Sequence, residues 1–127
     1  MDNDKKRIMV VDDEPSITRL LKLNLEQTGR YEVCGINNAA LALSAAREFQ
    51  PDLILLDVMM PHVSGDELAN QLQASPRLKN TPIVYLTALA TPGEVSSHGG
   101  LIGGLPFLAK PVDLPEVIGC IEKHLGA

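Results

Sequence analysis

The stretch PDLILLDVMMP, residues 51–61, decides the fold. Leu53 to Leu56 are aliphatic without interruption, and the run stops on a carboxylate, Asp57. A strand with one wet face alternates apolar and polar side chains. An unbroken apolar run of this length belongs to a strand covered on both faces, as in a parallel sheet between two helical layers. Asp57 therefore stands where a buried strand leaves the core, and the neighbouring strands must explain an acid at that point.

Working outward, RIMVVDD (7–13) is a second apolar run that ends in acid, at Asp12 and Asp13. Pro15 suits the first turn of a helix. Ile17, Leu20, Leu21 and Leu25 follow at helical spacing, with Gly29 to end it. YEVCGI (31–36) reads as a strand, and Asn37 and Asn38 read as caps for the small-residue helix AALALSAAREF (39–49). SGDELANQLQA (64–74) is a further helix, and TPIVYLTA (81–88) and PFLAK (106–110) are the last strands. Leu114, Val117, Ile118, Ile121 and Leu125 form a closing helical stripe. Strands alternating with helices predict βαβ units, hence an α/β doubly wound parallel sheet. One link is weak. LATPGEVSSHGGLIGGL (89–105) holds five glycines and a proline where alternation calls for the fourth helix. Each interior glycine costs a helix about 0.5–1 kcal/mol, so a short helix, a frayed turn or a mobile loop is expected.

The 127 residues suit one domain spanning 1–127, and 45% hydrophobic content supplies one core. A net charge of -5 and a pI near 5.1, without a Lys/Arg cluster, argue against direct nucleic-acid binding. No signal peptide and no apolar run long enough to span a bilayer is present, so no membrane insertion is expected. Cys34 and Cys120 have no metal-type spacing and read as two reduced core thiols of a cytoplasmic protein.

In open parallel sheets the C-terminal strand ends form the functional edge. Asp12 and Asp13 follow the first strand, Asp57 ends the third, Thr87 the fourth and Lys110 the fifth. Three carboxylates brought within ~4–6 Å repel one another by about 3–4 kcal/mol per pair at an effective dielectric of about 20. A hard divalent cation relieves that repulsion. Mg²⁺ prefers oxygen ligands and phosphate partners. With Lys110 adding positive charge, such a rim suits phosphoryl transfer. Asp57 can serve as nucleophile and Thr87 can hydrogen-bond a phosphoryl oxygen.

With VVDDEP, PDLILLDVMMP, SGDEL, LTA and LAKP in this order and spacing, the chain resembles the response-regulator receiver domains of two-component signalling (the CheY-like superfamily), from Arg7 to about Leu125. The resemblance implies a flavodoxin-like, five-stranded parallel sheet in the order 2-1-3-4-5. It implies phosphorylation at Asp57, with Asp57, Thr87 and Lys110 as the catalytic set. Mg²⁺ would be held by Asp13, Asp57 and the Met59 carbonyl, with Asp12 in an outer role. It implies a cis Lys110–Pro111 bond. Thr87 and Phe107 would be switch residues, although from the residues alone Phe107 also reads as a plain core side chain. The phosphoryl donor would be a sensor histidine kinase or a histidine phosphotransfer protein, and the output a downstream protein or domain. The glycine-rich segment departs from the family pattern and puts the usual output surface in doubt. It predicts that residues 90–104 become ordered on phosphorylation.

Two other classes compete with this phosphorylation switch. An aspartyl-nucleophile phosphatase of related fold needs a second acid two residues after its nucleophile, and Val58 and Met59 follow Asp57 here. A pseudo-receiver interaction module is expected to lack one of the five rim residues, and none is missing. The expectation is thus a signalling domain that catalyses only its own phosphorylation and dephosphorylation, either standing alone or cut from a longer regulator or hybrid kinase.

Overall fold

The computed structural model describes residues 5–58, 65–87, 101–102, 105–109 and 113–125. In chain order these form β1 (Lys6–Val11), α1 (Pro15–Gln27), β2 (Tyr31–Ile36), a 3₁₀ turn (Ala39–Leu41), α2 (Ala42–Phe49) and β3 (Leu53–Asp57). There follow α3 (Gly65–Ala74), β4 (Ile83–Thr87), β5 (Leu101–Ile102), β6 (Leu105–Ala109) and the last helix, α4 (Leu114–Leu125).

The sheet runs in the order β2-β1-β3-β4-β6-β5. Its first five members are mutually parallel and match the expected order 2-1-3-4-5. The sixth is an addition to that expectation. Leu101 and Ile102, read as part of a helix or loop, pair antiparallel with Pro106 and Leu105 and extend the outer edge. The remainder of the glycine-rich segment, where a weak fourth helix was expected, lies outside the described residues.

The alternation of side chains along the strands builds two cores. On one face Ile8, Val10, Leu53, Leu55, Val84 and Leu86 pack with Leu21 and Leu25 of α1 and Val117 and Ile121 of α4. On the other, Met9, Val11, Ile54, Leu56, Ile83 and Tyr85 pack with Ala42 and Ala46 of α2 and Leu68 and Leu72 of α3. The central strands are thus fully covered, as the unbroken run at residues 53–56 predicts.

The local signals act largely as read. Pro15 opens α1, and Gly29 follows its end at φ 77°, a backbone region where a side chain is strained. Leu20 is an exception. It is 49% exposed, because the buried stripe of α1 is centred on Leu21 and Leu25 and Leu20 lies on its flank. Asn38 caps the next helical stretch, accepting the Ala40 N–H at 3.0 Å, but that stretch begins as a 3₁₀ turn before becoming α-helical. At the N-terminal end of the sheet, Arg7 donates its backbone N–H to Asp52 (2.8 Å) and its guanidinium to the Phe49 carbonyl (2.9 Å), tying β1 to the end of α2.

The free edge of β2 is bracketed by α1. Glu26 accepts the Val33 N–H at 3.0 Å, and Lys22 donates to the Val33 carbonyl at 2.8 Å and to Glu26 at 3.2 Å. An exposed strand edge is a template for unwanted pairing, and here both outward groups of Val33 are occupied.

Two predictions follow from this packing. Leu55→Ala empties a fully buried site in the central strand and should lower unfolding free energy by about 2–5 kcal/mol in urea titration. The Val33 hydrogen bond, with Lys22 beside it, holds the Glu26 pKa below its ordinary value of 4.5. A depressed carboxylate pKa contributes stability that is present above pH 4.5 and lost as pH falls through the folded value. Wild type should therefore exceed Glu26→Gln in urea midpoint at neutral pH, and the two should converge in acid.

Candidate functional site

The register of the central strands makes the site. β1 and β3 pair in parallel as far as Val11 opposite Leu56, so the next residues, Asp12 and Asp57, emerge side by side. Asp57 stands opposite Leu86 in β4, and Thr87 follows. Thr87 in turn pairs with Ala109, the last residue of β6. Four neighbouring strands thus end on one rim.

Asp12, Asp57 and Thr87 are buried at 0%, 4% and 3% exposure, whereas Asp13 is exposed. The rim is a recess with two acids at its floor and one at its mouth. Asp12, Asp13 and Asp57 each offer a carboxylate oxygen, and these lie within 4.8 Å of one another. At an effective dielectric of about 20 that spacing corresponds to about 3 kcal/mol of repulsion per pair. The donor set fits Mg²⁺, being oxygen only. Oxygens gathered within 4.8 Å could share one small, hard cation.

The loop bearing the first two acids is held from several sides. Asp12 Oδ1 accepts the Glu14 N–H at 3.0 Å, and the Asp12 N–H donates to the Ile36 carbonyl at 3.0 Å. Asn37 Nδ2 donates to the Asp12 carbonyl at 2.8 Å and to Thr18 Oγ1 at 2.9 Å. Asn37 is therefore not the helix cap that its position suggested; Asn38 alone fills that role. Sequence reasoning missed Asn37 and Thr18 as parts of this loop. Their one signal was the doubled asparagine, because a single cap needs only one.

Met59, Lys110 and Pro111 lie outside the described residues, as do the cis Lys110–Pro111 bond and residues 90–100. Phe107 is half-buried and packs against the core on the Tyr85 face, opposite Tyr85 in the β4–β6 register. Cys34 and Cys120 are free and half-buried, and burial pushes both thiols up, as expected of unreactive packing groups. Among the described residues no helix is long and apolar enough to cross a membrane.

Comparison with known proteins points the same way. The family model described as the response regulator receiver domain matches residues 8–122. The polar-differentiation response regulator DivK of Brucella anthropi is 34% identical over 123 residues, covering 95% of this chain and 97% of that protein. The DNA-binding dual master transcriptional regulator RpaA of Synechocystis is 37% identical over 124 residues, but the match spans only 48% of its length. Among solved structures, a response regulator from Desulfuromonas acetoxidans superposes with a TM-score of 0.81 at 30% identity, covering 95% of this chain and 97% of that one. The chemotaxis protein CheY4 of Vibrio cholerae gives 0.80 at 28% identity, covering 94% and 98%.

The crowded acids predict a stability effect opposite to that of most buried substitutions. Asp57→Asn keeps the shape and removes one charge from the cluster, so without divalent cation it should raise the melting temperature. Thermal denaturation with and without Mg²⁺ checks this, and the added cation should stabilise wild type more than the variant.

Proposed function

The chain belongs to the response regulator receiver family, and on that premise we propose that it is a phosphoryl-accepting switch acting through Asp57. The observation that carries the reading is the gathering of the Asp12, Asp13 and Asp57 oxygens within 4.8 Å at the strand ends, with Thr87 on the adjoining strand. An Asp57 oxygen attacks phosphorus, a new O–P bond forms, and the bond to the donor breaks. With a phosphohistidine donor the leaving imidazole takes the electron pair and then a proton. Burial keeps the Asp57 carboxylate from adopting other orientations, which favours in-line approach. Asp13 and Asp57, with the Met59 carbonyl, would hold Mg²⁺ directly and Asp12 would support it. Bound Mg²⁺ would neutralise charge on the phosphoryl oxygens. Thr87 donates its hydroxyl to one of those oxygens, and Lys110 supplies positive charge to another.

Phosphorylation changes output through a small bias between two conformations. Thr87 and Phe107 lie on adjacent strands, and Phe107 is only half-buried, so it has room to change rotamer. We take residues 1–127 as one receiver domain working in the cytoplasm, with a sensor histidine kinase or histidine phosphotransfer protein as donor. A partner protein or output domain would read the phosphorylated state.

Incubation with acetyl phosphate and Mg²⁺, followed by intact-mass measurement, tests the assignment. Wild type should gain one phosphoryl group, and Asp57→Asn should gain none. A variant that labels as fully as wild type refutes Asp57 as acceptor.

A further inference from the structure

We propose that Asn37 is a positioning residue for the acidic rim, acting through the backbone of Asp12 and the first turn of α1. The inference rests on the metal-site reading given above and concerns a residue outside the acid cluster itself.

The hydrogen bonds fix the orientation of the Asn37 amide. The Asp12 backbone carbonyl can only accept, so the Asn37 nitrogen must face it, at 2.8 Å. The same nitrogen has a second hydrogen, and Thr18 Oγ1 lies 2.9 Å away to accept it. Thr18 passes its own hydroxyl hydrogen to the Pro15 carbonyl at 3.1 Å. Every donor in this chain has an acceptor, and the chain links the end of β2, the β1–α1 loop and the opening turn of α1. It runs from the Asp12 carbonyl to the Pro15 carbonyl and so brackets Asp13 and Glu14.

A second observation supports the same assembly independently. Gly35, two residues before Asn37, approaches Thr18 so closely that a Cβ placed on it would lie 3.1 Å from Thr18 Cβ. Thr18 is 5% exposed, so it has little room to retreat. The first turn of α1 is thereby seated directly on β2, at the distance that lets Asn37 reach both partners. Partners that orient metal ligands from outside the coordination sphere contribute strongly to affinity. Holding Asp12 and Asp13 at the rim before a cation arrives has the same effect, because three mutually repelling acids would otherwise spread apart.

Calorimetric titration with Mg²⁺ alone tests this in wild type, Asn37→Ala and Thr18→Val. Asn37→Ala should weaken Mg²⁺ binding about tenfold, the lower end of the range for such partners. Thr18→Val keeps the Asp12 contact and loses only the hydroxyl link, so its loss should be smaller. The Mg²⁺ concentration for half-maximal phosphorylation by acetyl phosphate should rise in step, while the rate at saturating Mg²⁺ stays near that of wild type. A residue with a merely structural role would lower the melting temperature and leave the Mg²⁺ midpoint in place; that result overturns the proposal. If Asn37→Ala fails to fold, Thr18→Val decides by the same midpoint. A wild type that binds no Mg²⁺ overturns the metal-site reading and the proposal with it, whereas equal binding by all three proteins overturns the proposal alone.

Discussion

Three carboxylates held within 4.8 Å of one another are the constraint on which the rest of this structure depends. Left to themselves they would separate into water. They are kept together because β1 and β3 are fixed in parallel register by side chains, Ile8 to Val11 and Leu53 to Leu56, that are entirely withdrawn from solvent. A slip of one residue would turn each of these strands inside out, exchanging its two core faces. The register is therefore rigid, and it sets Asp12 beside Asp57 whatever their mutual repulsion. The hydrophobic core does more than stabilise the fold: it holds together charges that would otherwise move apart.

The two ends of the sheet divide the work. At the N-terminal ends of the strands Arg7 bonds to Asp52 and to the Phe49 carbonyl and lies over the Phe49 ring, with opposite charges and dipoles facing one another. These contacts stabilise the fold. At the C-terminal ends three carboxylates gather instead, and Glu14 donates its backbone N–H to one of them, Asp12.

Much of this was legible in the sequence, for definite reasons. Unbroken apolar runs have one stable solution in an α/β chain, so a parallel sheet with acids at its strand ends could be inferred from residues 7–13 and 51–61, whereas the strand order came from the family resemblance. The features that were missed depend on tertiary distance. Leu20 and Leu21 are equally apolar, and only the docking angle of α1 decides that Leu20 is the one left at 49% exposure. Asn37 and Asn38 are the same residue type, and each could cap a helix. Which one turns back to Asp12 is set by how closely Gly35 lets α1 approach β2. The two-residue strand Leu101–Ile102 lies between paired glycines, where helix propensity is poor. Its pairing is with Leu105 and Pro106, only a few residues away, and a tight antiparallel return of this kind leaves no apolar periodicity to read.

That antiparallel return leaves β6 held unequally on its two sides. β6 is held on one side by β4, through the pairs from Tyr85 with Phe107 to Thr87 with Ala109, and on the other by the short β5. The β4 side carries Thr87 directly to the acid recess. Among the described residues β5 is the outermost element of the sheet and meets β6 in two residue pairs. In the proposed switch, a displacement of Thr87 toward a group on Asp57 would have the enclosed Leu86 on one side and the sheet edge on the other. Such a switch would pass its adjustment outward, past Phe107 and toward Leu101 and Ile102. The edge that the glycines make hard to build as a helix is the edge best placed to yield.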